Sequence, residues 1–205
     1  MVLKELSSLK LALIYTDCTL LNGRSLNVVA KLGFEKEICE IRKVFSERRI
    51  WAYEVSLKIA KLLKGTLAFK LIDEFDKVPL VPGAEEFVEW LKLKNFVIVI
   101  VLDSYTILVG RVARKIGADD VHANILHVEN DIITGKLSML MGWQLVRGCM
   151  RNSICKLNTL FKYMAKYNIP IGRTLVIENS NIDVCIIKVH YKNTLVKGCM
   201  HYKIR

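Results

Sequence analysis

The feature that most constrains the fold is a run of seven apolar residues near the middle of the chain, residues 96–102. The run is rich in valine and isoleucine, which fit the pleated surface of a strand. It is far shorter than the roughly 20 residues that a membrane-spanning helix needs. It therefore predicts a strand that is buried on both faces, as in the middle of a parallel sheet.

Further strand signals alternate with helical patterns along the chain. Strands are predicted at residues 11–16 and 174–177, and a hairpin at residues 122–128 and 132–137. Apolar residues recur at helical spacing in residues 25–32, 35–45, 55–64, 84–94, 105–116 and 152–167. The alternation predicts an α/β fold with a Rossmann-like parallel sheet and helices on its faces.

One block interrupts this alternation. Residues 20–79 are mostly helical and separate the first strand from the next one, and Pro79 and Pro82-Gly83 close the block. We therefore expect a core made of residues 1–19 and 80–205, with residues 20–79 inserted as a helical cap. A chain of 205 residues is consistent with one domain that carries such an insertion.

The amino-acid composition limits the classes of protein to which the chain can belong. Hydrophobic residues make up 52% of the chain and charged residues 25%, so intrinsic disorder is not expected. The first ten residues lack the pattern of a signal peptide, and the six cysteines are dispersed without a C-x-x-C pair or a zinc spacing. These features predict a cytoplasmic protein with free thiols and no membrane partner.

The positive charge is concentrated in the last third of the chain. The net charge is +11, and residues 136–205 contain twelve Lys and Arg residues against only Glu178 and Asp183. Such a bias suits an anionic partner, including a nucleic acid, but it also suits a solvated surface. No recognisable nucleic-acid module is present, so both alternatives stay open.

Three segments carry a family resemblance. The first strand ends in Tyr15-Thr16-Asp17-Cys18-Thr19, close to the Asp-x-Asp-x-Thr pattern of phosphotransferases that form an aspartyl phosphate. The other two are residues 62–65 followed by residues 81–87, and residues 120–126 followed by residues 133–135. Because these three segments occur in this order, the chain resembles the haloacid dehalogenase (HAD) superfamily, and within it the phosphoserine-phosphatase-like group with a helical cap.

The resemblance implies a chemistry and assigns residues to it. In the family, one Asp attacks phosphorus, the Asp two residues later is the general acid and base, and a Lys and a hydroxyl group hold the phosphoryl oxygens. Acidic residues after a later strand complete a Mg²⁺ site. The matching positions retain the acid/base Asp17, the first-motif Thr19, the third-motif Lys156 and the fourth-motif Asp183.

Other positions depart from the pattern. Tyr15 stands at the position of the nucleophile, Leu102 at that of the second-motif hydroxyl, and Asn179 at that of a metal-binding carboxylate. Arg24 stands where the family has a substrate-reading glutamate, and Ser104, two residues after Leu102, is a further candidate for substrate binding. A phenol with a pKa of about 10 is neutral at pH 7 and cannot replace the aspartate.

The sequence therefore predicts a protein that has lost aspartyl-phosphate hydrolysis and needs no cofactor. It could retain phosphate binding through Lys156 and the backbone amides after the first strand, with Lys156 facing fewer carboxylates, or bind a protein partner. The main alternative is an active Mg²⁺-dependent phosphomonoester hydrolase, and the third is nucleic-acid binding.

Each candidate residue also has a structural alternative. Asp17 and Thr19 could stabilise the turn that leaves the strand, and Lys156 could be a solvated lysine on a helix. Asp183 and Ser104 could each cap a helix. Tyr15 could fill the former pocket, with its ring on apolar neighbours.

Overall fold

The computed structural model describes residues 9–140, 153–178, 186 and 194–196. Its centre is a six-stranded sheet with the order β4-β3-β2-β1-β5-β6. The strands are β1 (Lys10–Tyr15), β2 (Phe96–Tyr105), β3 (Asp120–Glu129), β4 (Ile132–Ser138), β5 (Thr174–Glu178) and β6 (Thr194–Val196). All neighbouring strands are parallel except β3 and β4, which form the predicted antiparallel hairpin.

Helices connect the strands. They are α1 (Ser25–Val29), which continues into a π-helical turn (Ala30–Phe34), α2 (Glu35–Ser46), α3 (Ala52–Leu62), α4 (Ala68–Asp76), α5 (Ala84–Leu93), α6 (Thr106–Ile116) and α7 (Lys156–Tyr167). A short 3-10 helix, Ile171–Arg173, precedes β5. Helices α1–α4 lie between β1 and α5 in the chain, where the sequence predicts the cap, and we call them the cap. The predicted fold class is confirmed, while the cap boundaries at residues 20 and 79 stay a prediction.

The residues of β1 explain why the sheet is buried on both faces. Leu11 and Leu13 pack with Val99 and Val101 of β2 against α7, in one apolar cluster. Ala12 and Ile14 point to the other face, where residues of α5, α6 and the cap helices join a second cluster. The sheet therefore shares its core with the cap. Within the described part of the chain, no helix is long and apolar enough to cross a membrane.

The end of β2 is irregular. Its pairing with β3 shifts between Leu102 and Tyr105, so Asp103 and Ser104 form a bulge. Helix α6 begins at Thr106 after an extended Tyr105, with no side-chain cap. The prediction that Ser104 caps this helix is therefore wrong, because Ser104 belongs to the strand. Gly117 ends α6 as expected, in the left-handed conformation with φ of 68°.

The cap is attached to the sheet at the bulge. The hydroxyl of Ser56 in α3 donates to the carbonyl oxygen of Asp103 at 3.2 Å, and the same oxygen accepts from the Asn124 amide at 2.8 Å. The buried hydroxyl of Tyr105 donates back to the carbonyl oxygen of Ser56 at 3.1 Å. These hydrogen bonds connect α3 directly to the carboxyl end of β2.

A second attachment joins the cap to the hairpin. The amides of Gly65 and Ala68 donate to the carbonyl oxygens of Ile133 and Asp131, at 2.9 and 2.7 Å, and the Ile133 amide donates to the Thr66 carbonyl oxygen at 2.9 Å. Close by, Gly135 has φ of +80°, and a Cβ atom there would lie 3.0 Å from the Cβ atom of Lys64. We call this contact, residues 65–68 against residues 131–135, the cap–hairpin seam.

Candidate functional site

The loop that leaves β1 uses its own backbone amides. The amides of residues 19–21 all donate to the carbonyl oxygen of Thr16, at 2.9 to 3.1 Å. The Cys18 amide donates to the carbonyl oxygen of Gly23 at 3.0 Å. The phosphate cradle expected from the sequence would need these same N–H groups, and four of them already have partners inside the loop.

Asp17 connects this loop to the cap. Its carboxylate oxygen Oδ2 accepts hydrogen bonds from the backbone amide of Ser25, at 3.1 Å, and from the Ser25 hydroxyl, at 2.9 Å. Burial raises the pKa of Asp17 to about 6; the hydrogen bonds from Ser25 and the charge of Arg24 oppose this rise, whereas Asp103 adds to it. Asp17 therefore anchors the start of α1 and exchanges a proton near neutral pH.

The structure places the other predicted ligand-binding residues separately. Thr19 is fully buried, and its hydroxyl lies 3.5 Å from the carbonyl oxygen of Asp17. Arg24 is exposed and stands at the N-cap position of α1. Ser104 is half-buried in the bulge of β2. Leu102, at the second-motif position, is buried in the core.

The centre of the site is a buried cluster of three side chains, Tyr15, Lys156 and Glu178. Lys156 is the first residue of α7, and its ammonium group lies 3.8 Å from the centroid of the Tyr15 ring. The same group forms an ion pair with Oε2 of Glu178, the last residue of β5. Lys156 is 3% exposed and Glu178 is 0% exposed. The alternative of a solvated Lys156 is therefore wrong.

Asp103 binds the segment that precedes α7, the helix that carries Lys156. Its carboxylate oxygen Oδ1 accepts from the Ser153 hydroxyl at 2.8 Å and from the Ile154 amide at 3.1 Å. These two donors lie just before the first turn of α7, which carries Lys156. Asp103 in the bulge of β2 thus holds the segment that leads into α7. The sequence alone did not identify Asp103, because the bulge leaves no pattern in it.

Glu178 is the second residue that sequence reasoning missed. The family pattern Gly-Asp-x-x-x-Asp places a glycine at this position, so the sequence has gained a carboxylate directly before the one it lost at Asn179. Lys156 therefore faces a carboxylate that the sequence comparison did not predict, since Glu178 is buried against it; the expectation that it faces fewer carboxylates in total stays a prediction. The sequence did contain a signal for Glu178, because a glutamate stands where the motif has a glycine.

The physical consequence is a closed site. An ammonium group on an aromatic face gains about 2 kcal/mol when it is desolvated. Removing one partner of a buried ion pair usually costs about 3–5 kcal/mol, because the remaining charge is left without compensation. A phosphoryl group that used Lys156 would have to share its ammonium group with Glu178 and would place a second negative charge close to that carboxylate.

The described residues do not fit a Mg²⁺ site. Among them, no group of three or more His, Cys, Asp or Glu side chains could hold a metal ion. Asp17, Asp103 and Glu178 each accept hydrogen bonds or pair with a cation, whereas Mg²⁺ requires a near-octahedral set of oxygen ligands. Asn179 and Asp183, the predicted remnants of the metal site, lie outside the described residues, as does half of the basic region.

The curated proteins similar to this chain include several phosphoserine phosphatases. No protein-family model matches the sequence. A phosphoserine phosphatase of Campylobacter jejuni subsp. doylei is 31% identical over 128 residues, which are 62% of this chain and 62% of that protein. A phosphoserine phosphatase of Methanocaldococcus jannaschii is 32% identical over 128 residues, 62% of this chain and 60% of that protein. The chain thus spans about three fifths of the length of these curated relatives.

Solved structures extend the similarity to the whole fold. A phospho-aspartyl intermediate analogue of phosphoserine phosphatase superposes with a TM-score of 0.75 at 22% identity, covering 95% of both chains. A HAD family hydrolase of Salmonella enterica gives a TM-score of 0.76 at 17% identity, covering 92% of this chain and 67% of that one. The chain is thus similar in sequence to phosphoserine phosphatases over about three fifths of their length, and it shares its fold with a phosphoserine phosphatase and with a HAD family hydrolase.

Proposed function

We propose that this protein is a phosphoserine-phosphatase-like protein that has lost aspartyl-phosphate hydrolysis. One observation carries the proposal: the lysine at the third-motif position is buried in an ion pair with Glu178, under the ring of Tyr15. An enzyme of this kind needs a carboxylate at position 15 and a lysine that is available to phosphate. Here the carboxylate is absent and the lysine is engaged.

The engaged lysine also bears on phosphate binding without hydrolysis. A phosphate would have to compete with Glu178 for Lys156 and with the Thr16 carbonyl oxygen for the loop amides. We therefore favour a protein that acts through its surface over a sensor of phosphorylated small molecules. Calorimetric titration with inorganic phosphate, with and without Mg²⁺, tests this preference, and a chelator-insensitive binding signal would contradict it.

The test of lost catalysis is release of phosphate from phosphoserine in the presence of Mg²⁺. We expect no release by the natural protein. Substituting Tyr15→Asp, Leu102→Ser and Asn179→Asp restores the lost groups, and adding Glu178→Gly also frees Lys156. The variant with four substitutions should be more active than the variant with three, because only the former has a lysine available to the substrate.

One observation favours the runner-up, an active Mg²⁺-dependent hydrolase. A carboxyl group with a pKa of about 6 is suited to general acid catalysis, and Asp17 has such a pKa. The relatives are also named as phosphatases. Phosphate release by the natural protein that disappears with a chelator and in Asp17→Asn would establish this alternative and refute the proposal.

A further inference from the structure

A groove on the cap lies between α2 and α3, away from the residues of the former active site. It has a volume of about 420 Å³, and its floor is apolar. The floor consists of Ile41, Val44, Ile50 and Leu62, all of which are half-buried. None of the residues Tyr15, Asp17 and Lys156 lines it.

The two walls of the groove carry opposite charges. Glu37 and Glu40 line it from α2, and Lys58 and Lys61 line it from α3. All four are exposed, and within the described part of the chain none of them forms a hydrogen bond or an ion pair through its side chain. The groove therefore presents an acidic stripe and a basic stripe on its two walls, and neither stripe forms ion pairs within the described part of the chain.

Exposed aromatic residues adjoin the floor in sequence. Phe45, next to Val44, is 41% exposed, and Trp51, next to Ile50, is 42% exposed. Large aromatic side chains of this kind are enriched at protein–protein interfaces, where they supply buried area and anchors. Neither aromatic residue lines the groove itself, whose apolar floor and charged margins have the composition of a docking surface.

We propose that this groove docks the same groove of a second copy of the chain. A two-fold axis parallel to the groove brings the acidic wall of each copy opposite the basic wall of the other. An axis across the groove would instead oppose like charges. The charge pattern is thus self-complementary for one orientation of an isologous dimer, in which the same patch meets itself. The inference does not depend on the loss of catalysis.

The test is sedimentation equilibrium of the natural protein and two charge-reversal variants. The natural protein should dimerise reversibly at concentrations below about 100 μM and less tightly in high salt, because exposed charge pairs are screened. The variants E37K/E40K and K58E/K61E each give a groove with two like-charged walls. Each should weaken the dimer by about 10- to 100-fold, since several attractive pairs become repulsive.

Complementation separates this interface from an unspecific charge effect. An equimolar mixture of the two variants should form a mixed dimer, and a variant with all four reversals should dimerise like the natural protein. The control E86K/E89K reverses two exposed glutamates at the same spacing on α5 and should leave the dimer unchanged. A natural protein that stays monomeric at every concentration, or a dimer that the groove variants do not weaken, would overturn the proposal.

Discussion

The cluster around Lys156 and the groove of the cap both contain acids and bases, and they use them in opposite ways. In the cluster, Lys156 and Glu178 are buried and neutralise each other within one chain. In the groove, two glutamates and two lysines are exposed and form no ion pair in the described part of their own chain. The comparison teaches that a ligand must compete for the charges of the cluster, whereas those of the groove are available to a partner.

The substitution with the largest expected effect is Glu178→Gln, which leaves Lys156 buried without a counter-charge. We expect it to lower the free energy of unfolding by about 3–5 kcal/mol, as measured by urea denaturation. The control Glu47→Gln breaks the exposed pair with Arg49 and should cost at most about 1 kcal/mol. Adding Lys156→Met to Glu178→Gln should recover part of the loss. An equal effect of the two glutamine substitutions would remove the distinction between cluster and surface.

A smaller effect is expected from Asp17→Asn, and it depends on pH. Because burial raises the folded-state pKa of Asp17 to about 6, the stability that this carboxyl group contributes is present below pH 4 and is lost as the pH rises through 6. The Asp17→Asn variant has no carboxyl group at this position, so its stability does not fall for this reason as the pH rises. Its free energy of unfolding relative to the natural protein should therefore increase by about 1–3 kcal/mol between pH 4 and pH 7.5.

Urea denaturation at several pH values measures this difference. Ser25→Ala is the matched variant, since it removes a hydroxyl that stabilises the charged form of Asp17. Ser25→Ala should raise the pKa of Asp17 further, so the loss of stability should occur at a higher pH than in the natural protein. A difference between Asp17→Asn and the natural protein that stays constant with pH would show that Asp17 is not perturbed by burial.

The smallest effect is expected in the groove itself. Glu40→Gln and Lys58→Gln remove exposed charges without partners in the described part of the chain, so each should change the stability of the monomer by less than about 0.5 kcal/mol. Denaturation at low protein concentration measures this. A loss above about 1 kcal/mol would mean that these charges, like those of the cluster, stabilise their own chain.

The sequence predicted the fold well because the fold depends on periodic patterns. The strand at residues 96–102 was recognised from one apolar run, and the hairpin from two runs around Asn130. Several boundaries were displaced; for example, β2 continues through its bulge to Tyr105, and α7 starts at Lys156 rather than at residue 152. Helix α4 was not distinguished within the helical block.

The site was predicted only in part. The positions of Tyr15, Asp17 and Lys156 followed from matching motifs, but their partners did not. Glu178 reaches Lys156 across 22 residues, and Asp103 reaches Ser153 across 50. Such contacts depend on how the strands are ordered in the sheet and on the bulge in β2, which no local pattern of residues encodes.

The cap–hairpin seam has a consequence for motion. A lid that swings away from the sheet would have to break three backbone hydrogen bonds at once and separate Gly135 from Lys64. A displacement that keeps these hydrogen bonds must move residues 131–135 together with the cap. In amide hydrogen–deuterium exchange, the N–H groups of Gly65, Ala68 and Ile133 should consequently open together, as one cooperative unit.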